Sequence, residues 1–163
     1  MSLNVIIEKL EKLTSIHQQL LELSFEKTTV VKEGAVDKLQ AILIKERKFV
    51  QQLEQAEDNR KKEVDAWFLE HNLKLDEATI TNMINHLDAS EKKELEESAV
   101  RLSEVILKLK QQEQLNMALI QQSMQFVQLS IDLMSPSLKN MNYGNKADKD
   151  QSTINRSVFD SKA

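Results

Sequence analysis

Between Gly34 and Pro136 the chain contains neither glycine nor proline. Roughly 100 consecutive residues therefore lack the two strongest breakers of regular structure, and they are rich in Leu, Glu, Lys, Gln and Ala, which are good helix formers. A β-sheet protein of this length would need many turns built on Gly, Pro, Asn or Asp. The sequence therefore predicts an all-α fold made of a few long helices.

The composition narrows the class of protein. Aromatic residues make up only 4% of the 163 residues, so the core must consist of aliphatic side chains and Met, which suits narrow helix–helix seams. The net charge of −4 argues against a general nucleic-acid binder, and no apolar run approaches the ~20 residues needed to cross a bilayer. The chain has no cysteine and no basic-then-apolar start, so we expect a cytoplasmic protein without a secretory signal.

Two helices are predicted in the first half of the chain. The first begins near Ser2, a good N-cap, and ends at Gly34, a good C′ residue. Its apolar residues recur at three- and four-residue steps and so share one face: Leu3, Ile6, Leu10, Leu13, Ile16 and Leu20. The second helix starts at about Val36 and continues to a break over residues 71–75. Because the connection between the two helices is short, we expect them to be antiparallel neighbours.

The second half is predicted to hold one short and one long helix, followed by a tail. The short helix spans residues 76–87, and Ser90 is the predicted N-cap of a long helix that ends near Met134, before Pro136. The sequence thus predicts one domain, an elongated antiparallel helical bundle or coiled coil over residues 1–134. Residues 135–163 have only isolated apolar side chains, and we expect a disordered, flexible C-terminal tail there.

The predicted long helix changes character halfway. In its first half one apolar stripe is opposed by charged residues, which is typical of a helix lying on a bundle; the stripe is Leu95, Ala99, Leu102, Ile106 and Leu109. We expect the continuation of this stripe to rest on the first two helices: Met117, Ile120, Met124, Val127, Ile131 and Met134.

The opposite side of the second half is apolar too, and no segment remains in the chain to cover it. An uncovered apolar strip of this size usually marks an interaction site. The candidate binding residues on this side are Leu115, Leu119, Gln122, Phe126, Leu129 and Leu133. Two interpretations stay open, since the strip could be a homodimer seam or part of the core, or it could bind a different protein. The methionines favour a partner surface, because Met repacks readily against varied shapes.

The sequence contains no recognisable catalytic, metal or cofactor motif. None of the three histidines has a Glu three residues before it, as a di-iron bundle requires, and no His-Glu-x-x-His pair or glycine-rich phosphate loop is present. The basic run at residues 60–62 lies between acids, which is typical of an exposed helical face. We therefore predict a protein that is not an enzyme, binds no cofactor, metal or nucleic acid, and does not insert into a membrane.

Aromatic residues give two further expectations. Trp67 and Phe68 are predicted to pack under the short third helix. Tyr143, alone in the tail, could anchor a partner, since a Tyr side chain buries a large area at a low entropy cost.

Residues 10–62 resemble the opening two helices of FlgN-type flagellar export chaperones, most closely those of Bacillus-type bacteria. The shared features are the leucine-rich first helix, the turn at residues 32–34, the Asp37-Lys38-Leu39 that follows it, Glu46, and the late Arg60. The long last helix with a Pro-containing polar tail also fits, so the resemblance covers about residues 3–145.

The resemblance implies a cytoplasmic chaperone for the hook–filament junction proteins FlgK and FlgL. Such chaperones bind the C-terminal helices of these clients, prevent premature assembly and deliver them to the export gate. Their client-binding region is the C-terminal part of the chaperone, and docking to the gate protein FlhA involves the end of the last helix and the tail, where Tyr143 is the available tyrosine. The alternatives are a structural homo-oligomeric coiled-coil scaffold or adaptor, and a chaperone for the filament cap protein.

Overall fold

The computed structural model describes residues 3–134. It contains three long helices, α1 (Leu3–Glu33), α2 (Val36–Glu70) and α4 (Ala89–Met134), and one short helix, α3 (Ile80–Met83). No strand occurs among the described residues. The predicted all-α architecture of three long helices and one short one is confirmed. The described residues divide into two units, with the boundary inside α4 between Leu119 and Ile120.

A two-residue connection joins α1 to α2. Gly34 has a φ of +67°, a conformation that glycine adopts without the steric penalty of a Cβ atom. The Gly34 N–H donates to Val31 O at 3.2 Å, and the Ala35 N–H donates to Val30 O at 3.2 Å. This pair of bonds is a Schellman motif, which satisfies the last carbonyls of α1. The predicted end of the first helix at Gly34 is therefore confirmed.

The two helices that follow from this turn are antiparallel. Near the turn, Lys27 of α1 forms an ion pair with Glu46 of α2. At the far end, Leu3 of α1 and Trp67 of α2 belong to one apolar cluster. The prediction of antiparallel neighbours is confirmed.

That apolar cluster is the main core of the first unit. Its buried members come from all three long helices and α3: Leu3, Ile6, Ile7, Leu10, Val64, Trp67, Phe68, Met83 and Leu95. The segment between α2 and α4 adds partly buried side chains: Leu73, Ala78, Ile80, Ile84 and Leu87. Trp67 and Phe68 meet edge-on at 5.4 Å between ring centroids. The packing of both rings under this connecting segment agrees with the prediction.

The connecting segment is not the single helix that the sequence predicted over residues 76–87. Two 3₁₀ turns, Leu75–Glu77 and Ile84–His86, flank α3. Thr79 interrupts the helix because its backbone is extended (φ −128°, ψ 155°), and its side chain accepts a hydrogen bond from the N–H of Asn82 at 3.1 Å. Thr side chains compete with helical hydrogen bonding in this way. The prediction of one continuous helix was wrong.

The start of α4 also differs from the prediction, because its N-cap is Asp88. Asp88 Oδ1 accepts hydrogen bonds from the backbone N–H groups of Ser90, at 2.9 Å, and Glu91, at 2.8 Å. The Glu91 carboxylate in turn accepts a longer bond, at 3.4 Å, from the N–H of Asp88. This reciprocal arrangement is a capping box. Ser90 is therefore the second residue of α4 and not its cap.

Within the first unit, α4 runs parallel to α1. Glu11 pairs with Arg101 at 3.7 Å, and Ser24 donates to Glu113 at 2.6 Å, so residues about 90 positions apart are level. One series of buried and partly buried residues of α4 recurs close to the 3.5-residue period of coiled coils: Leu95, Ser98, Leu102, Val105, Leu109, Gln112 and Asn116. This period keeps one face of α4 on the α1–α2 hairpin.

Candidate partner-binding site

The candidate binding strip consists of Leu115, Leu119, Gln122, Phe126, Leu129 and Leu133, and α4 positions all of them. In the first unit, Leu115 is 46% exposed and Leu119 is partly buried. In the second unit, Phe126 is 70% and Leu133 is 72% exposed, and Gln122 and Leu129 are exposed as well. Steps of three and four residues put the two strip residues of the first unit on one helical face, and likewise the four of the second unit. Apart from the polar Gln122 and the partly buried Leu119, the strip therefore consists of large apolar side chains in contact with water.

Most of the other flank of the same helix is exposed too, although Ile120 is partly buried. At Met117, in the first unit, this exposure contradicts the prediction that the flank rests on the first two helices. Met117, in the first unit, is 64% exposed. In the second unit the exposed residues of this flank are Met124, Val127, Ile131 and Met134. For Met117 the reason is that the inner face passes through the polar residues Gln112 and Asn116. The apolar residues therefore follow a different line around the helix from the residues that face α1.

A polar cluster lies where α1, α2 and α4 meet in the first unit. It consists of Ser24, Lys27 and Thr28 of α1, Glu46 of α2, and Gln112, Glu113 and Asn116 of α4. The apolar pattern of the sequence did not predict this cluster. A signal was present, since Ser24, Lys27 and Thr28 continue the apolar face of α1 at helical spacing.

Lys27 is the charged centre of this cluster. Its Nζ lies 2.5 Å from Glu46 Oε1 and 2.9 Å from Glu113 Oε2, and only 7% of its side chain is exposed. Burial lowers the pKa of Lys27, but hydrogen bonds and charge attraction from the two carboxylates outweigh burial, so the pKa lies above its usual 10.5. The ammonium therefore stays charged and joins three helices.

Asn116 organises the neutral part of the cluster. Its Nδ2 donates to Ser24 O at 2.8 Å and to Ser24 Oγ at 3.0 Å, and its Oδ1 lies 2.5 Å from Thr28 Oγ1. Gln112 Nε2 donates to the same Thr28 hydroxyl at 2.5 Å, while Ser24 Oγ donates to Glu113. A buried polar group without a partner is costly, so these bonds specify the register of α4 on α1.

The first unit also contains a groove between its helices. It measures about 590 Å³ and its lining comes from all four helices, including Leu13, Leu53 and Ile106. On its wall Arg60 donates two hydrogen bonds to Glu57, at 2.5 and 2.8 Å. These bonds hold the pKa of Glu57 below its usual 4.5, and they raise the pKa of Arg60.

Residues 3–134 show neither a metal site nor a membrane span. Within that range, His, Asp and Glu side chains form no group of three or more that could hold a metal ion. No helix in the described part of the chain has the length and hydropathy of a membrane span. Tyr143, the predicted gate-docking residue, lies outside the described residues.

Comparison with known proteins gives a family match and one similar protein. The family model described as FlgN protein matches residues 1–151. The uncharacterized protein YvyG of Bacillus subtilis (strain 168) is 39% identical over 167 aligned residues, which cover 100% of each chain. No solved structure matches.

Proposed function

Because the chain belongs to the FlgN family of flagellar export chaperones, we propose that it holds hook–filament junction proteins in the cytoplasm until they are exported. The proposed clients are FlgK and FlgL, bound through their C-terminal helices. Binding there would prevent premature assembly, because those helices would be occupied before export. The protein would act by binding alone, without an enzymatic step.

The observation that carries this proposal is the exposure of Phe126, Leu129 and Leu133 on one face of α4. Large apolar side chains in a row are what an amphipathic partner helix requires, with anchors at steps of three and four residues. Each such side chain contributes about 1.5–3 kcal/mol when it is fully buried. The cost of ordering the partner is subtracted from that sum, which leaves an affinity suited to a carrier that must release its client.

Delivery to the export gate is the second part of the proposal. We propose that Tyr143 docks to the gate protein FlhA while α4 holds the client. The support is the separation in sequence, since Tyr143 lies nine residues beyond Met134, the last residue of α4. The client strip and the gate anchor are therefore different parts of the chain.

A double variant tests the client site. Phe126→Asp with Leu133→Asp puts two charges in the strip at positions that are 70% and 72% exposed. Because a buried unpaired charge is very unfavourable, we expect a loss of affinity of about 100-fold or more for a C-terminal helical fragment of FlgK, measured by titration calorimetry. Circular dichroism should show an unchanged helix content.

The matched control is Val100→Asp with Leu107→Asp, which are 55% and 56% exposed on the same helix but outside the strip. We expect this control to bind FlgK within about threefold of the wild type, as surface substitutions usually have small effects. Equal losses in both variants would contradict the assignment of the strip.

The homo-oligomeric scaffold predicts a different result in light scattering. A monomer that forms a one-to-one complex with FlgK supports the chaperone. A stable dimer that the FlgK fragment leaves unchanged, and that the strip variant dissociates, would favour the scaffold. Pull-down with FlgL and the filament cap protein then identifies which clients are bound.

A further inference from the structure

Phe25 is an exception on α1. It is 54% exposed, whereas every Leu, Ile and Val side chain of α1, within the described residues 3–33, is buried or partly buried. Single exposed apolar residues are common on protein surfaces. The significance of Phe25 therefore depends on what lies beside it.

Contacts of the polar cluster fix the level of Phe25 along α4. Ser24, one residue before Phe25, bonds to Glu113 and Asn116, and Thr28, three residues after it, bonds to Gln112 and Asn116. Phe25 is therefore level with residues 112–116 of α4. This interval contains Leu115, the first residue of the binding strip.

The same contacts define the two sides of the seam between α1 and α4. Lys27 pairs with Glu113 and also with Glu46 of α2, so this pair marks the side toward α2. The hydrogen bond from Gln112 to Thr28 lies on the opposite side of the α1–α4 contact from the Lys27–Glu113 pair. The Gln112–Thr28 hydrogen bond therefore marks the side of the α1–α4 seam that faces away from α2.

Phe25 and Leu115 both lie farther around on that second side. Three residues of an α-helix turn through about 300°, which leaves a net difference of about 60°. Phe25 is three residues before Thr28, and Leu115 is three residues after Gln112, so the two rotate in opposite senses. When two parallel helices face each other, a rotation around one helix and the opposite rotation around the other both lead to the same side of the seam. Phe25 and Leu115 thus flank one groove between α1 and α4.

We propose that Phe25 is a client-contacting residue that widens the strip on α4 into a two-helix groove. The occupant is the C-terminal amphipathic helix of the client, and the inference rests on the proposed function. Its support is continuity: Leu115 belongs to the strip, and Phe25 lies level with it on the same side of the seam. A groove between two helices holds an amphipathic helix through more of its apolar face than a single helix does.

Selective alkylation tests the proposal directly, because the chain contains no cysteine. Three single-thiol variants are made: Phe25→Cys, Phe126→Cys in the strip, and Leu43→Cys on α2, where Leu43 is 48% exposed. Each reacts with N-ethylmaleimide, with and without a saturating cysteine-free C-terminal fragment of FlgK, and the reaction is followed by mass spectrometry. We expect alkylation to slow about tenfold or more at positions 25 and 126, since buried contact positions exclude water, and to be unchanged at position 43.

A binding measurement accompanies the alkylation. We expect Phe25→Ala to weaken binding of the FlgK fragment by about tenfold, as truncation of a central aromatic contact commonly does. The affinity of Leu43→Ala should stay within about twofold of the wild type. Circular dichroism and urea unfolding confirm that both variants fold.

The outcomes separate the inference from the proposed function. If position 126 is protected and position 25 is not, the inference is overturned while the chaperone proposal stands. If the wild type does not bind the FlgK fragment, the proposed function is overturned, and the inference falls with it. Protection at both positions, together with weaker binding of Phe25→Ala, supports both.

Discussion

The ammonium of Lys27 on α1 lies 2.9 Å from the Glu113 carboxylate on α4. The same ammonium pairs with Glu46 of α2, so two carboxylates share one cation at the junction of three helices. Glu113 remains partly exposed, at 40% of its side chain, while Lys27 is nearly enclosed. The arrangement ties α4 to the α1–α2 hairpin through charge rather than apolar contact, and it does so beside the residues that we assign to client binding.

Removing the cation should destabilise the fold more than removing an ordinary surface charge. Lys27→Met keeps most of the apolar stem but leaves Glu46 and Glu113 facing each other without a cation. Breaking a buried pair by deleting one partner is strongly unfavourable, and the partial exposure of Glu113 reduces this cost. We expect a loss of about 2 kcal/mol in the free energy of unfolding, measured by urea denaturation.

The matched control for that variant is Lys38→Met. Lys38 is 71% exposed and lies 3.8 Å from Glu33, so its ion pair is solvated. Exposed pairs of this kind contribute about 0–1 kcal/mol. We expect the free energy of unfolding of Lys38→Met to lie within about 0.5 kcal/mol of the wild-type value. Equal destabilisation by both variants would show that Lys27 has no special structural role.

The Lys27 pKa gives the stability a dependence on pH in the alkaline range. Because the pKa is raised in the folded state above 10.5, the contribution is fully present below the unfolded pKa and is lost as pH rises through the folded pKa. We therefore expect the difference in stability between the wild type and Lys27→Met to be constant from neutral pH to about 10 and to shrink above it. Urea unfolding at a series of pH values measures this difference; a difference that grows above pH 10 would contradict the assignment.

The fold followed from the sequence because local signals and hydrophobic period agreed. The absence of Gly and Pro between Gly34 and Pro136 left long helices as the consistent solution, and Gly34 marked the turn. The short helix over residues 76–87 was mispredicted because Thr79 forms its own cap. That local bond competes with the helix in a way that apolar spacing does not reveal.

The site was predictable only in part. The apolar character of Phe126 and Leu133 was visible in the sequence, and the structure exposes both; their role in binding stays a prediction. The seam at Asn116 was not visible, because a search for apolar stripes passes over buried polar residues. Only the partners of Asn116, which lie about 90 positions away on α1, explain why a polar side chain is buried there.

The two possible caps of α4 can be separated by a pair of alanine variants. Asp88 accepts two backbone hydrogen bonds, at 2.8 and 2.9 Å, whereas Ser90 enters the cap through its backbone N–H alone. Asp88→Ala should therefore lower the free energy of unfolding by about 1 kcal/mol, the usual cost of losing an N-cap. Ser90→Ala should change it by less than about 0.5 kcal/mol, because Ala is a better helix former than Ser inside a helix. Urea unfolding of both variants measures the difference. A larger loss of unfolding free energy for Ser90→Ala than for Asp88→Ala would show that Ser90 is the N-cap.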